Sequence, residues 1–289
     1  MRVAYYPGCT GTQTSLEYEE SVRETAGYLG IQLDDIAGWT CCGASSAHVV
    51  DETLPLTLPA LNIVRAREMG LGLVTPCPAC ALRHQTTECA IETDASIKAK
   101  VEEGIGATLE PGERTKHFLE LLHRDVGTEE ISKRVQTPLS GLKVAAFYGC
   151  YLVRPPEIVG GDDPEAPMRI DDIVASIGAE AVDWSYKVDC CGGSASIPAT
   201  QMVRTLTARI LEGAREAGAD AIVTACPMCQ ANLDMFQSKS TDATPLPVLY
   251  FSELTALAFG SVRVEGYLAK HTVDPSPLLE GLGLPSREE

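Results

Sequence analysis

The chain has 289 residues, of which 45% are apolar, enough to bury substantial cores and to exclude a disordered polypeptide. With 23 basic against 40 acidic residues it carries a net charge of -17, the wrong sign for neutralising nucleic-acid phosphates. No run approaches the roughly 18 apolar residues of a membrane span, and residues 1–6 read as the start of a strand, not a signal peptide, so the expectation is a soluble, cytoplasmic protein with no transmembrane segment.

In chain order, residues 2–6 (RVAYY) read as an apolar strand leading through glycine to Cys9, and 15–29 as a helix. Cys41 and Cys42 precede Gly43, a helix follows over 56–69, and a strand over 71–75 runs into Cys77-Pro78-Ala79-Cys80. Residues 97–125 read as a helical extension, and 127–142 as a linker between a first repeat domain, 1–126, and a second, 143–289. The second half opens with a strand over 143–147 that leads to Cys150, then a Pro/Gly/Asp-rich loop over 154–167 and a helix over 167–177. Cys190-Cys191-Gly192, a helix over 197–217 and a strand over 221–224 then lead to Cys226-Pro227-Met228-Cys229, and the tail 273–289 is expected to wrap the surface or fray. The predicted fold class is α/β: two tandem, pseudo-duplicated, Rossmann-like βαβαβ halves with mostly parallel sheets and the cysteine motifs at strand carboxyl ends, where such sheets collect ligands.

Ten of the eleven cysteines follow the duplication. In the first half Cys9 is followed by 31 residues, Cys41-Cys42, 34 residues and Cys77-x-x-Cys80; in the second Cys150 is followed by 39 residues, Cys190-Cys191, 34 residues and Cys226-x-x-Cys229. The eight additional residues fall where the 154–167 loop absorbs them. Cys89 has no counterpart and reads as an ordinary buried or free thiol. Disulfide staples fit poorly, because the chain is large, lacks an export signal, and has cysteine pairs that are immediate neighbours.

Proline at a first helical position sets the two thiols of C-P-x-C about one turn apart at a helix N-terminus, which favours anionic sulfur and chelation. A thioredoxin-like dithiol would leave the other repeated cysteines without a role. The adjacent pairs face one centre only if the backbone turns, which Gly43 and Gly192 permit. Four thiolates complete a zinc site or an ordinary cubane cluster, yet each repeat offers five, which points to an irregular iron-sulfur cluster or to a spare cysteine beside a four-ligand site.

This tandem pattern resembles the CCG-domain signature of the B subunit of heterodisulfide reductase over nearly the whole chain, the longer first spacer of the second repeat being the one departure. The resemblance implies two noncubane [4Fe-4S] clusters, one on Cys9, Cys41, Cys42, Cys77 and Cys80 and one on Cys150, Cys190, Cys191, Cys226 and Cys229, facing each other across the substrate. It also implies a disulfide oxidoreductase: reductive cleavage of the mixed disulfide of coenzyme M and coenzyme B to two thiols, as in methanogenesis. Because that cleavage takes two electrons and a cluster usually passes one, the expectation is one electron from each cluster with no side-chain nucleophile. Implied partners are a ferredoxin-like C subunit and an FAD-containing A subunit with further iron-sulfur clusters, joined to a hydrogenase or formate dehydrogenase.

Electrons must come from such partners, because the sequence contains neither a nicotinamide or flavin fingerprint nor a P-loop. Candidates to hold an anionic small-molecule disulfide are Arg83, His84, His48, Arg154 and Lys187, which stand near the cysteine motifs. Two other readings stay open: a CCG subunit of a sulfur-oxidising or quinone-linked complex acting on another substrate, and a non-catalytic zinc or cluster scaffold.

Overall fold

In the computed structural model, which describes residues 1–44, 47–237 and 244–286, the short apolar runs become the central strands of two parallel sheets. β1 (Arg2–Tyr5), β2 (Gln32–Asp35), β3 (Leu73–Thr75) and β4 (Lys116–His117) pair in the order β2-β1-β3-β4. β5 (Lys143–Phe147), β6 (Glu180–Ala181), β7 (Ala221–Thr224) and β8 (Val248–Tyr250) repeat it as β6-β5-β7-β8. β5 and β7 read KVAAF and AIVT because helices cover both faces of a parallel sheet, and all but Lys143 are buried. In each sheet the strand order reverses between the first and third strands, the place where α/β sheets collect ligands. Cys9 and Cys77 follow those strands in one half, Cys150 and Cys226 in the other.

The halves exchange helices. Leu16–Tyr28 of the first half packs against Phe251–Ala258 of the second, and Arg169–Ser176 of the second packs against Thr128–Arg134 in the segment joining the halves. One apolar core therefore runs through both, joining Tyr5, Val22 and Phe118 to Val144, Ile173 and Phe251. Two outer cores belong to one half each; the first contains Cys42, Cys77 and Cys80, the second Cys191, Cys226 and Cys229.

The α/β class, the parallel strands and the duplication agree with the sequence reading, while four details differ. Each sheet has a fourth strand, β4 or β8, beyond the expected βαβαβ. The expected helix over 97–125 stops at Ile105, because Gly106 adopts φ 67° and Pro111 and Gly112 follow; the chain then extends into β4. Residues 127–141 hold the helix Thr128–Arg134, whose Ile131 is fully buried. The tail is packed as far as it is described: Leu279 and Leu284 enter the shared core, and 287–289 lie outside the described residues.

A buried ion pair secures the segment leading to that tail. His271 Nε2 lies 2.9 Å from Glu253 Oε1, with both side chains almost fully enclosed, and Glu253 Oε2 accepts the Tyr250 N–H at 2.8 Å. Despite burial, the carboxylate of Glu253 raises the His271 pKa to about 9. A folded-state pKa above the ordinary imidazole value gives stability that is complete below about pH 6.5 and is lost as pH rises through about 9, roughly 3 kcal/mol in all. Urea unfolding of the wild type and His271→Gln at pH 6.5 and pH 10 should show the difference between the two proteins shrinking across that window; a constant difference would contradict this assignment.

Candidate metal centres

The same backbone device builds both cysteine groups. After β1 and β5 the chain turns through Gly8 (φ 72°) and Gly149 (φ 64°) immediately before Cys9 and Cys150. A Cβ on Gly8 would lie 3.4 Å from Cys80 Sγ, and one on Gly149 only 3.0 Å from Cys229 Sγ, so glycine lets the first loop lie directly against the last sulfur of its group. Gly43 (φ 72°) and Gly192 (φ 92°) supply the turns after the adjacent pairs, and their N–H groups donate to Cys41 Sγ and Cys190 Sγ, each at 3.4 Å. Cys77 and Cys226 stand in extended conformation as N-caps of the helices Pro78–Thr93 and Pro227–Met235, each with proline at its first position.

The sulfurs converge without bonding. Cys42 Sγ and Cys80 Sγ are 3.2 Å apart, as are Cys191 Sγ and Cys229 Sγ, well beyond a disulfide length, and all eleven cysteines are free. Burial is graded alike in the two halves: Cys42, Cys77 and Cys80 are buried while Cys9 and Cys41 are exposed, and Cys191, Cys226 and Cys229 are buried while Cys150 is half-buried and Cys190 exposed. Each group thus has a dry floor and a wet mouth.

Hydrogen bonds between the thiols prepare some of them as thiolates. Cys42 is held at about 3, first by the bond from Cys41 and then by that from Cys80, and Cys77 is lowered by its bond from Cys80. Cys41 and Cys80 rise in return, and burial raises Cys9. In the second half the bond from Cys150 brings Cys190 to about 6 and the hydrogen bond shared with Cys229 lowers Cys191, while Cys150 and Cys229 rise. Protons shared among crowded sulfurs are what a thiophilic cation displaces. Among the described residues no three His, Cys, Asp or Glu side chains close around one metal ion. The donor chemistry, all thiol and five to a half, with backbone N–H groups directed at two of the sulfurs, fits a sulfur-ligated cluster of several irons.

Amides brace the loops in positions that sequence spacing did not single out. Asn62 donates from Nδ2 to Thr40 O at 3.0 Å and accepts the Thr40 N–H at 2.9 Å, fixing the approach to Cys41. Asn232 donates to Cys191 O at 3.2 Å and Gly193 O at 2.9 Å. Among the basic candidates, His84 is fully buried: Nδ1 donates to Cys80 O at 2.7 Å, Nε2 accepts from Asn62 at 3.3 Å, and burial lowers its pKa. Lys187 is also internal, donating to Asp171 Oδ1 at 2.6 Å. Arg154 donates to Glu165 Oε1 at 2.6 Å and to Val188 O at 3.2 Å, while His48 is exposed on the short helix Ala47–Val50. Arg83 is half-buried, has no hydrogen bond or ion pair among the described residues, and its charge acts on Tyr151, the neighbour of Cys150. Cys89 is half-buried on the helix Pro78–Thr93.

Where the halves meet, buried Tyr18 points its hydroxyl between Pro76 O at 2.9 Å and Ala225 O at 3.0 Å. These carbonyls belong to the residues immediately before Cys77 and Cys226. His117 Nδ1 accepts the Leu119 N–H at 3.0 Å, leaving Nε2 to donate to Pro76 O at 2.5 Å. Burial holds His117 neutral, with a pKa of about 4. A further repeat in the sequence signals this position: His117-Phe118-Leu119-Glu120-Leu121 matches Tyr250-Phe251-Ser252-Glu253-Leu254, and His117 pairs with Thr75 as Tyr250 pairs with Thr224.

The model of the CCG cysteine-rich domain matches residues 3–83 and 144–234, together more than half of the chain and enclosing all ten repeated cysteines. The chain belongs to the CCG cysteine-rich domain family. This CCG protein is 34% identical over 280 residues to the 8-methylmenaquinol:fumarate reductase membrane anchor subunit of Wolinella succinogenes, covering 95% of this chain and 98% of the relative. It is 29% identical to the B subunit of a CoB-CoM heterodisulfide reductase of Methanosarcina acetivorans, over 90% of this chain and 89% of that one. The likeness to heterodisulfide reductase B subunits read from the cysteines is thereby borne out. A crystal structure of a hypothetical protein from Helicobacter pylori shares the fold, with a TM-score of 0.72 at 11% identity; the match covers 94% of this CCG chain but only 52% of that one. Both named relatives are subunits of larger oxidoreductases. Among the described residues of the CCG protein no helix is long and apolar enough to cross a membrane.

Proposed function

We propose that this CCG protein is the catalytic electron-transfer subunit of a heterodisulfide-reductase-type complex in the cytoplasm. Its pentads Cys9, Cys41, Cys42, Cys77, Cys80 and Cys150, Cys190, Cys191, Cys226, Cys229 hold one noncubane [4Fe-4S] cluster each. The substrate is a small-molecule disulfide, in the form suggested by the heterodisulfide reductase relatives the mixed disulfide of coenzyme M and coenzyme B, cleaved to two thiols. Supporting partners are a ferredoxin-like subunit and a flavin subunit joined to a hydrogenase or formate dehydrogenase. The observation that carries this reading is the meeting of the two C-P-x-C motifs at one phenol, since Tyr18 reaches the carbonyl before each of them.

When bound, clusters of this kind supply single electrons and a Lewis-acidic iron that accepts sulfur. The chain's own residues supply the setting. The buried floor of each pentad excludes water from Cys42, Cys77 and Cys80 and from Cys191, Cys226 and Cys229, while exposed Cys9, Cys41 and Cys190 mark the side open to substrate. The helix N-termini behind Cys77 and Cys226 favour negative charge on sulfur. Arg83, with no hydrogen bond or ion pair among the described residues and with its charge acting on Tyr151, is the cation best available to orient an anionic substrate group between the halves. Lys187 and His84 act within the fold, because neighbouring groups occupy their polar atoms.

A second reading, quinone-linked electron transfer, is favoured by the 34% identity to the fumarate reductase subunit. The two separate in one assay. Protein isolated without oxygen and supplied with a reduced viologen should consume the mixed disulfide and release both thiols; turnover of a menaquinone analogue with no disulfide consumed would establish the second reading instead. Arg83→Ala should raise KM for an anionic disulfide about tenfold at unchanged kcat, whereas an unchanged KM would remove Arg83 from the substrate site.

A further inference from the structure

Tyr18 and His117 have no cysteine-ligating role, yet they occupy the point where the two halves' motifs meet. The peptides Pro76–Cys77 and Ala225–Cys226 follow corresponding strands, β3 and β7, so their carbonyls are pseudo-equivalent. The single proton of Tyr18 and the Nε2 proton of His117 serve both: His117 donates to Pro76 O at 2.5 Å, and Tyr18, between the two carbonyls, reaches Ala225 O at 3.0 Å and Pro76 O at 2.9 Å. The Tyr18 ring is clamped in turn, stacked on Tyr250 at 4.0 Å and 5°. Tyr18 is 1% exposed and His117 4%, so no solvent competes for these bonds.

We infer that Tyr18 and His117 form a hydrogen-bonded bridge that fixes the two metal-binding motifs relative to one another and ties the electronic environments of the two centres together. Both act as positioning residues. A donor on the carbonyl of a peptide polarises that peptide's N–H, here those of Cys77 and Cys226, and hydrogen bonds around cluster sulfurs tune reduction potentials. One phenol shared by both motifs makes any movement of one motif felt by the other. Such a link suits a site where two single-electron centres must act on one two-electron substrate. The inference rests on reading the pentads as metal centres, and it holds for either substrate.

The test compares the iron-loaded wild type with Tyr18→Phe, His117→Leu and His117→Gln. Tyr18→Phe keeps the stacked ring and removes the hydroxyl, His117→Gln keeps an N–H donor, and His117→Leu has none. With iron content unchanged, Tyr18→Phe and His117→Leu should shift the one-electron equilibrium between the two centres about tenfold, about 59 mV in a redox titration followed by electron paramagnetic resonance. His117→Gln should restore the wild-type potentials. Iron-loaded variants whose potentials match the wild type would overturn the bridge. Wild type that binds no iron would instead overturn the metal-centre reading. The bridge then stands or falls on amide hydrogen exchange in the metal-free chain, where Tyr18→Phe should accelerate Cys77 and Cys226 together, and acceleration of neither or only one would refute it.

Discussion

Cys191→Ser is expected to strip the second half of its iron, leave the first half loaded, and lower substrate turnover at least about 100-fold. Cys191 is 4% exposed, its sulfur is 3.2 Å from Cys229 Sγ, and the hydrogen bond between the two thiols lowers its pKa. Serine keeps the shape but gives a hard hydroxyl that does not ionise near neutral pH, where a soft thiolate is needed. The first pentad is built on another sheet and packed in another outer core, so iron per chain should fall by about half and not to zero. Iron analysis beside a turnover assay measures both effects, with Cys89→Ser as the matched control. Cys89 lies half-buried on a helix without a counterpart in the repeat, and its replacement should change neither number. Complete loss of iron from Cys191→Ser would show that the two halves do not assemble independently.

Gly149→Ala should have the next largest effect. At φ 64° a Cβ costs roughly 1–2 kcal/mol of backbone strain, and here it would also press to 3.0 Å from Cys229 Sγ. Gly8→Ala carries the same strain at φ 72°, but its Cβ would meet Cys80 Sγ at 3.4 Å, close to ordinary contact. Urea unfolding should therefore show similar losses of stability in the two variants, while second-half iron is lost in Gly149→Ala and first-half iron is largely kept in Gly8→Ala. Equal iron retention in both would mean that the loop does not rest on the sulfur as described.

Much of this arrangement was legible because side chains that converge at the ends of repeated strands leave a rigid spacing. The central strands were legible because burial on both faces forces continuous apolar runs such as KVAAF and AIVT. Edge strands escaped for the opposite reason: β2 reads QLDD, β6 reads EA and β4 is Lys116–His117, polar or too short for any period to register. Basic residues near the motifs looked alike in sequence but not in space. His84 is locked beneath the first pentad and Lys187 is paired with Asp171, whereas Arg83 makes no hydrogen bond or ion pair among the described residues, a distinction that depends on tertiary neighbours. Tyr18 carried no local signal, since its partners lie 58 and 207 residues away. The match of His117-Phe118 to Tyr250-Phe251 could have exposed the fourth strands had the repeat been followed past Cys80 and Cys229.

The content of the two pentads decides the account most directly. Iron, acid-labile sulfide and zinc counted in protein purified without oxygen should give about eight irons, about as many sulfides and no stoichiometric zinc, as two four-iron clusters require. One zinc per half, with neither iron nor sulfide, would contradict it and leave a thiolate-zinc scaffold in its place.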